Sequence, residues 1–210
     1  MRISYHCPSC NRTGPVTGSV PSNPTFIAPL LWEHNEVHVP CGEATCARNL
    51  DQSHMTLTHH DMPVAVGLLT ANPANGRILS VSRKSDHTAF GIPGGKVDPA
   101  DGEIEGVDLP TRMMTLRRTV AREVGEEVGI PTDALLHEHL VLLHQGVCPG
   151  GADGIAYWMY TFEYTAPFPG EPTTQPGEGI VAWVDWMVLE TGPFPRINTI
   201  LHSLSRHPPN

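Results

Sequence analysis

The sequence lacks several features that would assign its function directly. No apolar run in its 210 residues approaches the roughly 18 residues that a membrane-spanning helix needs. The opening residues, Met1 to Cys7, contain no apolar signal segment. Lys and Arg number 13 against 22 Asp and Glu, which gives a formal net charge of −9. We therefore expect a cytoplasmic protein without membrane contact. Broad affinity for nucleic-acid backbones is disfavoured, because it needs a basic surface.

Cysteine is also scarce, and four of the five residues lie in the N-terminal part of the chain. They form two pairs, Cys7 with Cys10 and Cys41 with Cys46, and this arrangement is typical of a structural zinc site with four thiolate ligands. A short segment with few apolar side chains buries little core, so a bound metal would supply folding free energy. Two unrelated reduced pairs and a redox Cys-x-x-Cys motif are the alternatives. The wide second spacing also leaves room for a histidine ligand: His6, His38 or His54.

The composition and hydrophobic pattern of the sequence change near residue 60, and this change predicts two domains. Residues 1–60 are expected to form a small zinc-ribbon-like β subdomain, and residues 61–210 an α/β domain in which apolar runs alternate with turn residues. Strands are predicted at 63–70, 77–84, 135–145, 155–164 and 180–188, the first two as a hairpin, and helices at 110–128 and 196–205.

Three carboxylates stand close together in the segment Arg122–Ile130. Glu123, Glu126 and Glu127 lie at i, i+3 and i+4, and on a helix these spacings share one face, with Cβ atoms about 5–6 Å apart. The carboxylates would repel one another, and a hard divalent cation with oxygen ligands is a natural compensator. A solvated helix face without function is the alternative interpretation.

The same helix carries an apolar stripe that predicts which face is buried. Its members recur at helical spacing and end before Gly129, a residue type common at helix C-termini. They are Met113, Leu116, Val120, Val124 and Val128. A helix buried along this stripe would leave Glu123 and Glu127 on its accessible edge.

The string Arg122-Glu-Val-Gly-Glu-Glu-Val-Gly-Ile130 resembles the core of the Nudix box. Upstream, Gly91-Ile-Pro-Gly-Gly-Lys-Val-Asp98 resembles the glycine-rich loop of the same family. The resemblance covers roughly residues 63–200. It implies a Nudix-type α/β/α sandwich with a mixed sheet. It also implies a hydrolase that uses Mg²⁺ or Mn²⁺ to cleave the diphosphate linkage of a nucleoside diphosphate linked to another moiety.

One position departs from the family pattern. The box places a glutamate eight residues before Arg122, where this chain has Met114. An insertion of roughly ten residues between loop and helix would explain the departure, because surface loops tolerate lengthening. In the family this glutamate pairs with the arginine and holds the loop on the helix. Glu103 is the preferred replacement, and Glu105 and Asp108 are the alternatives.

The resemblance also assigns roles in the expected site. Glu123 and Glu127 are the first metal ligands, Glu126 completes or tunes the cluster, and the carbonyl of Gly94 is a further ligand. Arg122 is expected to anchor the preceding loop. A general base should lie outside the helix. Glu178, in a loop before the last predicted strand, is the first choice, ahead of Glu163 and with a solvated loop acid as the alternative.

Substrate contacts are predicted at the second strand's end and in the glycine-rich loop. Arg83 and Lys84 could meet phosphates, and Gly95 and Lys96 lie in the loop itself, although surface charge explains the basic residues equally well. A nucleobase could stack on an aromatic side chain, but core packing is the preferred role for each candidate. The aromatic candidates are Trp158, Tyr160 and Trp183.

The sequence is compatible with several substrates. A zinc ribbon before a Nudix domain resembles the NADH pyrophosphatase branch, which makes NADH, NAD or an NAD-capped RNA end plausible. However, the branch's Ser-Gln-Pro-Trp-type segment is absent here. ADP-ribose, dinucleoside polyphosphates and non-standard nucleoside triphosphates are equal options. A non-catalytic Nudix-fold nucleotide sensor with a zinc-ribbon interaction module is the alternative function. The three retained carboxylates argue against it. The resemblance also allows a homodimer.

Overall fold

A computed structural model describes residues 2–15, 39–40, 49–50, 55–58, 62–148 and 156–205 of the chain. Within these ranges, no helix combines the length and apolarity needed to cross a membrane. The strands are β1 Arg2–His6, β2 Thr13–Pro15, β3 Val39–Pro40, β4 Asn49–Leu50, β5 Met55–Thr58, β6 Val64–Leu69, β7 Ile78–Arg83, β8 Asp86–Gly91, β9 Leu140–Cys148, β10 Tyr157–Tyr164 and β11 Val181–Val184. The helices are α1 Leu109–Val128, α2 Trp186–Glu190 and α3 Pro195–Leu204.

The N-terminal strands form small antiparallel sheets. β1 pairs with β2 on one side and with β5 on the other, and β3 pairs with β4. Directly after β1 the chain folds into a tight turn. The Cys7 amide donates to the Arg12 carbonyl, and the Asn11 amide donates to the Cys7 carbonyl, both at 2.8 Å. This turn carries both Cys7 and Cys10.

Two three-stranded sheets form the centre of the larger part of the molecule. In the first, β10 pairs parallel with β6 and antiparallel with β9. In the second, β7 pairs antiparallel with β11 and β8. The sequence predicted a hairpin of β6 and β7, and only its turn end is present, where Ala71 pairs antiparallel with Ile78. Beyond that bridge the prediction was wrong, because the two strands belong to different sheets. Strand β8 was not predicted at all.

The glycine-rich loop occupies the edge of β6 that the hairpin would have used. The Leu68 amide donates to the Pro93 carbonyl at 2.8 Å, and the Val66 amide donates to the Gly95 carbonyl at 2.9 Å. The Val97 amide returns a bond to the Val64 carbonyl at 3.0 Å. The loop is thereby fixed to the sheet by backbone hydrogen bonds.

Helix α1 begins and ends where the sequence indicates. The Asp108 side chain accepts the Thr111 amide at the N-terminus, and Gly129 ends the helix in the left-handed conformation with φ 76°. All five residues of the predicted apolar stripe are buried in one core cluster with Val66 and Phe162. Burial of each such side chain stabilises the fold by roughly 1.5–3 kcal/mol.

The three layers of the sandwich follow from the alternation of side chains along the strands. Val66 and Leu68 of β6 face the cluster that contains α1, whereas Leu69 belongs to a second cluster that contains residues of α2 and α3. The strand predicted at 180–188 ends earlier, at Val184. The chain then turns into α2, which together with α3 covers the second face.

The inserted segment between loop and helix lies along α1 and is bound to it by side chains of one polar helix face. The Arg112 Nε donates to the Ile104 carbonyl at 2.6 Å, and the Thr115 hydroxyl donates to the Glu103 carbonyl at 2.9 Å. One turn further, the Thr119 hydroxyl donates to an Asp101 carboxylate oxygen at 3.0 Å. The insertion therefore has a defined position over the helix.

Candidate active site

Arg122 is the centre of the polar contacts beside the glycine-rich loop. Its Nε and one Nη atom contact the two carboxylate oxygens of Asp101 at 2.9 and 3.0 Å. The guanidinium also lies 3.0 Å from Glu123 and 3.0 Å from Glu126, and it donates to the Lys96 carbonyl at 2.9 Å. Hydrogen bonding with Asp101 raises the pKa of Arg122, against the opposing effect of burial. Arg122 therefore joins loop, insertion and helix.

The acidic partner of Arg122 is Asp101, so the prediction of Glu103 was wrong. Glu103 is exposed and offers its backbone carbonyl to Thr115 instead. Asp101 is buried at 8% exposure, and burial alone would raise its pKa. Hydrogen bonds from Arg122, the Asp98 amide and Thr119 outweigh burial and lower the pKa of Asp101. The carboxylate is therefore ionised when it pairs with the guanidinium.

Two successive glycines lie directly over two carboxylates of the helix. The Gly94 amide donates to a Glu127 carboxylate oxygen at 2.8 Å. A Cβ on Gly95 would lie 2.5 Å from the carboxylate of Glu123. Gly94 has φ 151°, and a Cβ there would collide with the Val66 carbonyl. Gly94 therefore requires glycine, and at Gly95 the absent side chain leaves room for the Glu123 carboxylate, so the loop backbone touches the predicted metal ligands.

Burial makes both carboxylates harder to ionise. Desolvation raises the pKa of Glu123, although Arg122 opposes the shift. Desolvation also raises the pKa of Glu127 to about 7. The Gly94 amide and Lys84 oppose this second shift, whereas Glu123 and Glu178 add to it. A perturbed carboxyl group of this kind is typical of a functional site.

Glu127 and Glu178 line one cavity of ≈ 340 Å³ together with Arg83 and Lys84. The Lys84 ammonium donates to a Glu178 carboxylate oxygen at 2.8 Å. The Arg83 guanidinium lies 5.4 Å from the centre of the Phe194 ring. The structure thus brings together the predicted base, one predicted metal ligand and two predicted phosphate contacts.

A second, more apolar cavity of ≈ 240 Å³ adjoins the first and is lined by Gly94, Gly95, Lys96 and Tyr157. The Lys96 ammonium lies 5.1 Å from the centre of the Tyr157 ring. The two cavities share a wall formed by Gly91, Ile92 and Phe194. The sequence reasoning missed Tyr157 and Phe194.

Several predicted residues lie elsewhere. Glu126 has a side chain 56% exposed that pairs with Arg122, and it lines neither of the two cavities. Glu163 is buried within β10 at 1% exposure, which makes it inaccessible as a base. Trp158 and Tyr160 are buried at 3% and 2%, so both pack in the core, the role preferred for them, and neither is available to stack on a base. Trp183 packs edge-on against Phe168 at 6.1 Å.

Two of the four predicted zinc ligands lie within the described residues. Cys7 is buried and Cys10 is exposed on the same turn. Cys41 and Cys46 lie outside the described residues. Within the described part of the chain, no three His, Cys, Asp or Glu side chains group as a ready-made metal site.

The sequence pattern of the NUDIX domain matches residues 61–200. The chain belongs to the NUDIX family. It is accordingly an enzyme of the pyrophosphohydrolase type, and its mixed sheet with helices on both faces is the expected Nudix-type α/β fold. No curated protein matches the chain.

Several solved structures are similar to this NUDIX domain. A MutT NUDIX hydrolase from Burkholderia pseudomallei is 26% identical over 69% of this chain and 98% of its own, with a TM-score of 0.49. A MutT protein from Methanosarcina mazei Go1 is 22% identical over 71% and 97%, with a TM-score of 0.47. A NUDIX hydrolase from Nitrosomonas europaea is 20% identical over 70% and 93%, with a TM-score of 0.47.

Replacement of Asp101 tests which acidic residue holds Arg122 in this NUDIX domain. Asp101→Asn should lower the free energy of unfolding by about 1–3 kcal/mol, because a charge-assisted pair is lost at a buried position. Glu103→Gln should change it by less than about 0.5 kcal/mol, because the side chain is exposed. Urea denaturation of both variants measures the difference. Equal effects would contradict the assignment of Asp101.

Glu127 should make the metal-free domain less stable as pH rises. Its folded pKa of about 7 exceeds the ordinary value of 4.5 for a glutamate, so the folded state binds the proton more tightly. Stability is therefore greatest below about pH 4.5 and falls as pH rises to about 7. Glu127→Gln removes this loss and should gain up to about 3 kcal/mol at pH 8 and little at pH 5.

Thermal unfolding in a chelator at both pH values measures the effect, with Glu126→Gln as the exposed control. A Glu127→Gln gain that is the same at pH 5 and pH 8 would show that this carboxyl group does not titrate between them.

Proposed function

We propose that the protein hydrolyses the diphosphate linkage of a nucleoside diphosphate linked to another moiety, with Mg²⁺ or Mn²⁺ as cofactor. The proposal rests chiefly on one observation. Glu123 and Glu127 lie directly beneath the Gly94–Gly95 backbone, and the cavity at Glu127 also holds Glu178 and Lys84. Buried carboxylates, a carboxylate outside the helix and basic side chains are the groups that such a reaction needs.

The donor set fits a hard divalent cation. Mg²⁺ keeps several waters and is usually bound by one or two protein carboxylates together with substrate phosphates. Glu123 and Glu127 would supply the two carboxylates, and the Gly94 carbonyl a further oxygen. Glu126 would tune the cluster through its ion pair with Arg122. When bound, the cation neutralises phosphate charge and lowers the pKa of a water molecule.

Glu178 is the proposed general base. Its carboxylate accepts a proton from the attacking water as the water oxygen forms a bond to phosphorus. The bridging P–O bond of the diphosphate breaks in the same step, and the electron pair leaves with the departing phosphate. Arg83 and Lys84 line the same cavity and would counter the negative charge of the substrate.

The second cavity would take the remainder of the substrate. Its lining near Tyr157 and Phe194 is largely apolar, and Lys96 lies over the Tyr157 ring. A flat ring of a nucleoside suits such a surface. The substrate class accordingly includes NAD(H), ADP-ribose, dinucleoside polyphosphates, nucleoside triphosphates and an NAD-capped RNA end.

We also propose that the segment 1–60 binds structural zinc as a separate subdomain. Its support is the tight turn that carries Cys7 and Cys10 after β1, because such a turn is how a Cys-x-x-Cys pair approaches one metal ion. The homodimer that the family resemblance allows stays a prediction.

A hydrolysis screen tests the enzymatic proposal. The full-length protein is incubated with Mg²⁺ or Mn²⁺ and a panel of NADH, NAD, ADP-ribose, diadenosine polyphosphates, nucleotide sugars and nucleoside triphosphates. Mass spectrometry of both product halves should show cleavage at a diphosphate linkage, with no turnover in chelator. Binding of a panel member without cleavage would favour a nucleotide sensor.

Matched variants test the assignment of the carboxylates. Glu127→Gln and Glu123→Gln should each lower kcat/KM by at least about 100-fold, because they remove charge that the cation needs. Glu126→Gln, which changes an exposed carboxylate of the same helix, should lower it by less than about tenfold. Retained turnover in Glu127→Gln would remove Glu127 from the proposed metal site.

Metal analysis tests the zinc proposal. The purified protein should contain about one zinc per chain. Cys10→Ser should reduce this content and lower the thermal stability, whereas Cys148→Ser, at the end of β9, should leave the zinc content unchanged. A wild-type protein without zinc after expression in zinc-supplemented medium would refute the site.

A further inference from the structure

Lys84 and Glu178 form an ion pair between two chain segments at the wall of the first cavity. The Lys84 ammonium lies 2.8 Å from a Glu178 carboxylate oxygen. Lys84 directly follows β7, and Glu178 lies in the loop before β11. The hydrogen bond with Glu178 is the main cause that raises the pKa of Lys84, so the ammonium stays charged.

The backbone on both sides of this pair is fixed. The Ser82 hydroxyl accepts the Ile180 amide at 2.9 Å, and the Ser82 amide donates to the Ile180 carbonyl at 2.9 Å. Gly179 packs so closely against the Ser82 carbonyl that a Cβ would collide with it. Movement in this pair is therefore left to the side chains, and above all to the long flexible chain of Lys84.

Exposure distinguishes the two partners. The Lys84 side chain is 64% exposed, whereas that of Glu178 is 24% exposed. An anion that enters the cavity can therefore reach the Lys84 ammonium. The Glu178 carboxylate is less accessible to a competing cation. An exposed ion pair contributes little to stability, so exchange of one partner is easy. The ammonium also has three N–H donors and can contact two acceptors during the exchange.

We propose that Lys84 is a positioning residue for Glu178, and that its ammonium moves from the carboxylate to the diphosphate when substrate binds. Before binding, the pair holds Glu178 at the wall of the cavity. After the exchange, the Glu178 carboxylate is free to accept the proton of the attacking water, and Lys84 neutralises phosphate charge. This inference rests on the proposed hydrolase function.

A double-mutant cycle tests the coupling. Steady-state kinetics are measured for Lys84→Met, Lys84→Arg, Glu178→Gln and the Lys84→Met/Glu178→Gln double variant, on the substrate cleaved best by the wild type. Lys84→Met should raise KM and lower kcat, about tenfold each, and Lys84→Arg should recover most of both. In the Glu178→Gln background, Lys84→Met should raise KM by a larger factor than in the wild type, because the ammonium no longer has to leave a carboxylate before it contacts the diphosphate.

The control is Arg77→Met, which removes an exposed ion pair with Asp185 at 3.4 Å near the start of β7. It should leave both kinetic constants unchanged. Multiplicative effects of the two substitutions on KM, or wild-type kinetics in Lys84→Met, would overturn the inference and leave the hydrolase function intact. A wild-type protein without turnover on any substrate would overturn both.

Discussion

The pair between Arg122 and Asp101 is the interaction on which the site depends. One guanidinium with five N–H donors reaches the insertion, the helix and the glycine-rich loop at once. Glu123 and Glu126 repel each other on the same helix, and Arg122 lies within 3.0 Å of both. Its bond to the Lys96 carbonyl also fixes the loop whose glycines cover Glu123 and Glu127. The loop and the carboxylates therefore keep one relative position.

Local patterns predicted the helix well, and they failed at the insertion. The apolar stripe and Gly129 are short-range signals, and the structure confirms both. The acidic partner of Arg122 is a long-range contact, and an insertion removes the fixed spacing that would identify it. Asp101 is placed by a short 3₁₀ turn with a capping box to Asp98. The available signal was the polar row on α1, spaced to receive a docked segment: Arg112, Thr115, Thr119 and Arg122.

The errors in the sheet have a related cause. A turn between two apolar runs predicts a hairpin, but the edge of β6 pairs with the glycine-rich loop, and no local pattern reveals that competitor. The aromatic residues of β10 were ambiguous because helices cover both faces of the sheet. Because side chains alternate between the two faces of a strand, Trp158 and Tyr160 lie on the face opposite to Tyr157. This alternation does not show which face borders a cavity. The structure buries the first two and opens the cavity at Tyr157.

The energetics of Glu127 favour a functional over a structural role. A buried carboxylate is unfavourable without a cation or several donors, and here Glu127 accepts a hydrogen bond from the Gly94 amide. A glutamine could accept the same hydrogen bond without a charge to desolvate. The fold nonetheless keeps a carboxylate with a pKa of about 7, beside Glu123 and under Gly94, a position that requires glycine. This arrangement makes sense if a positive charge that the chain itself does not supply compensates for Glu123 and Glu127.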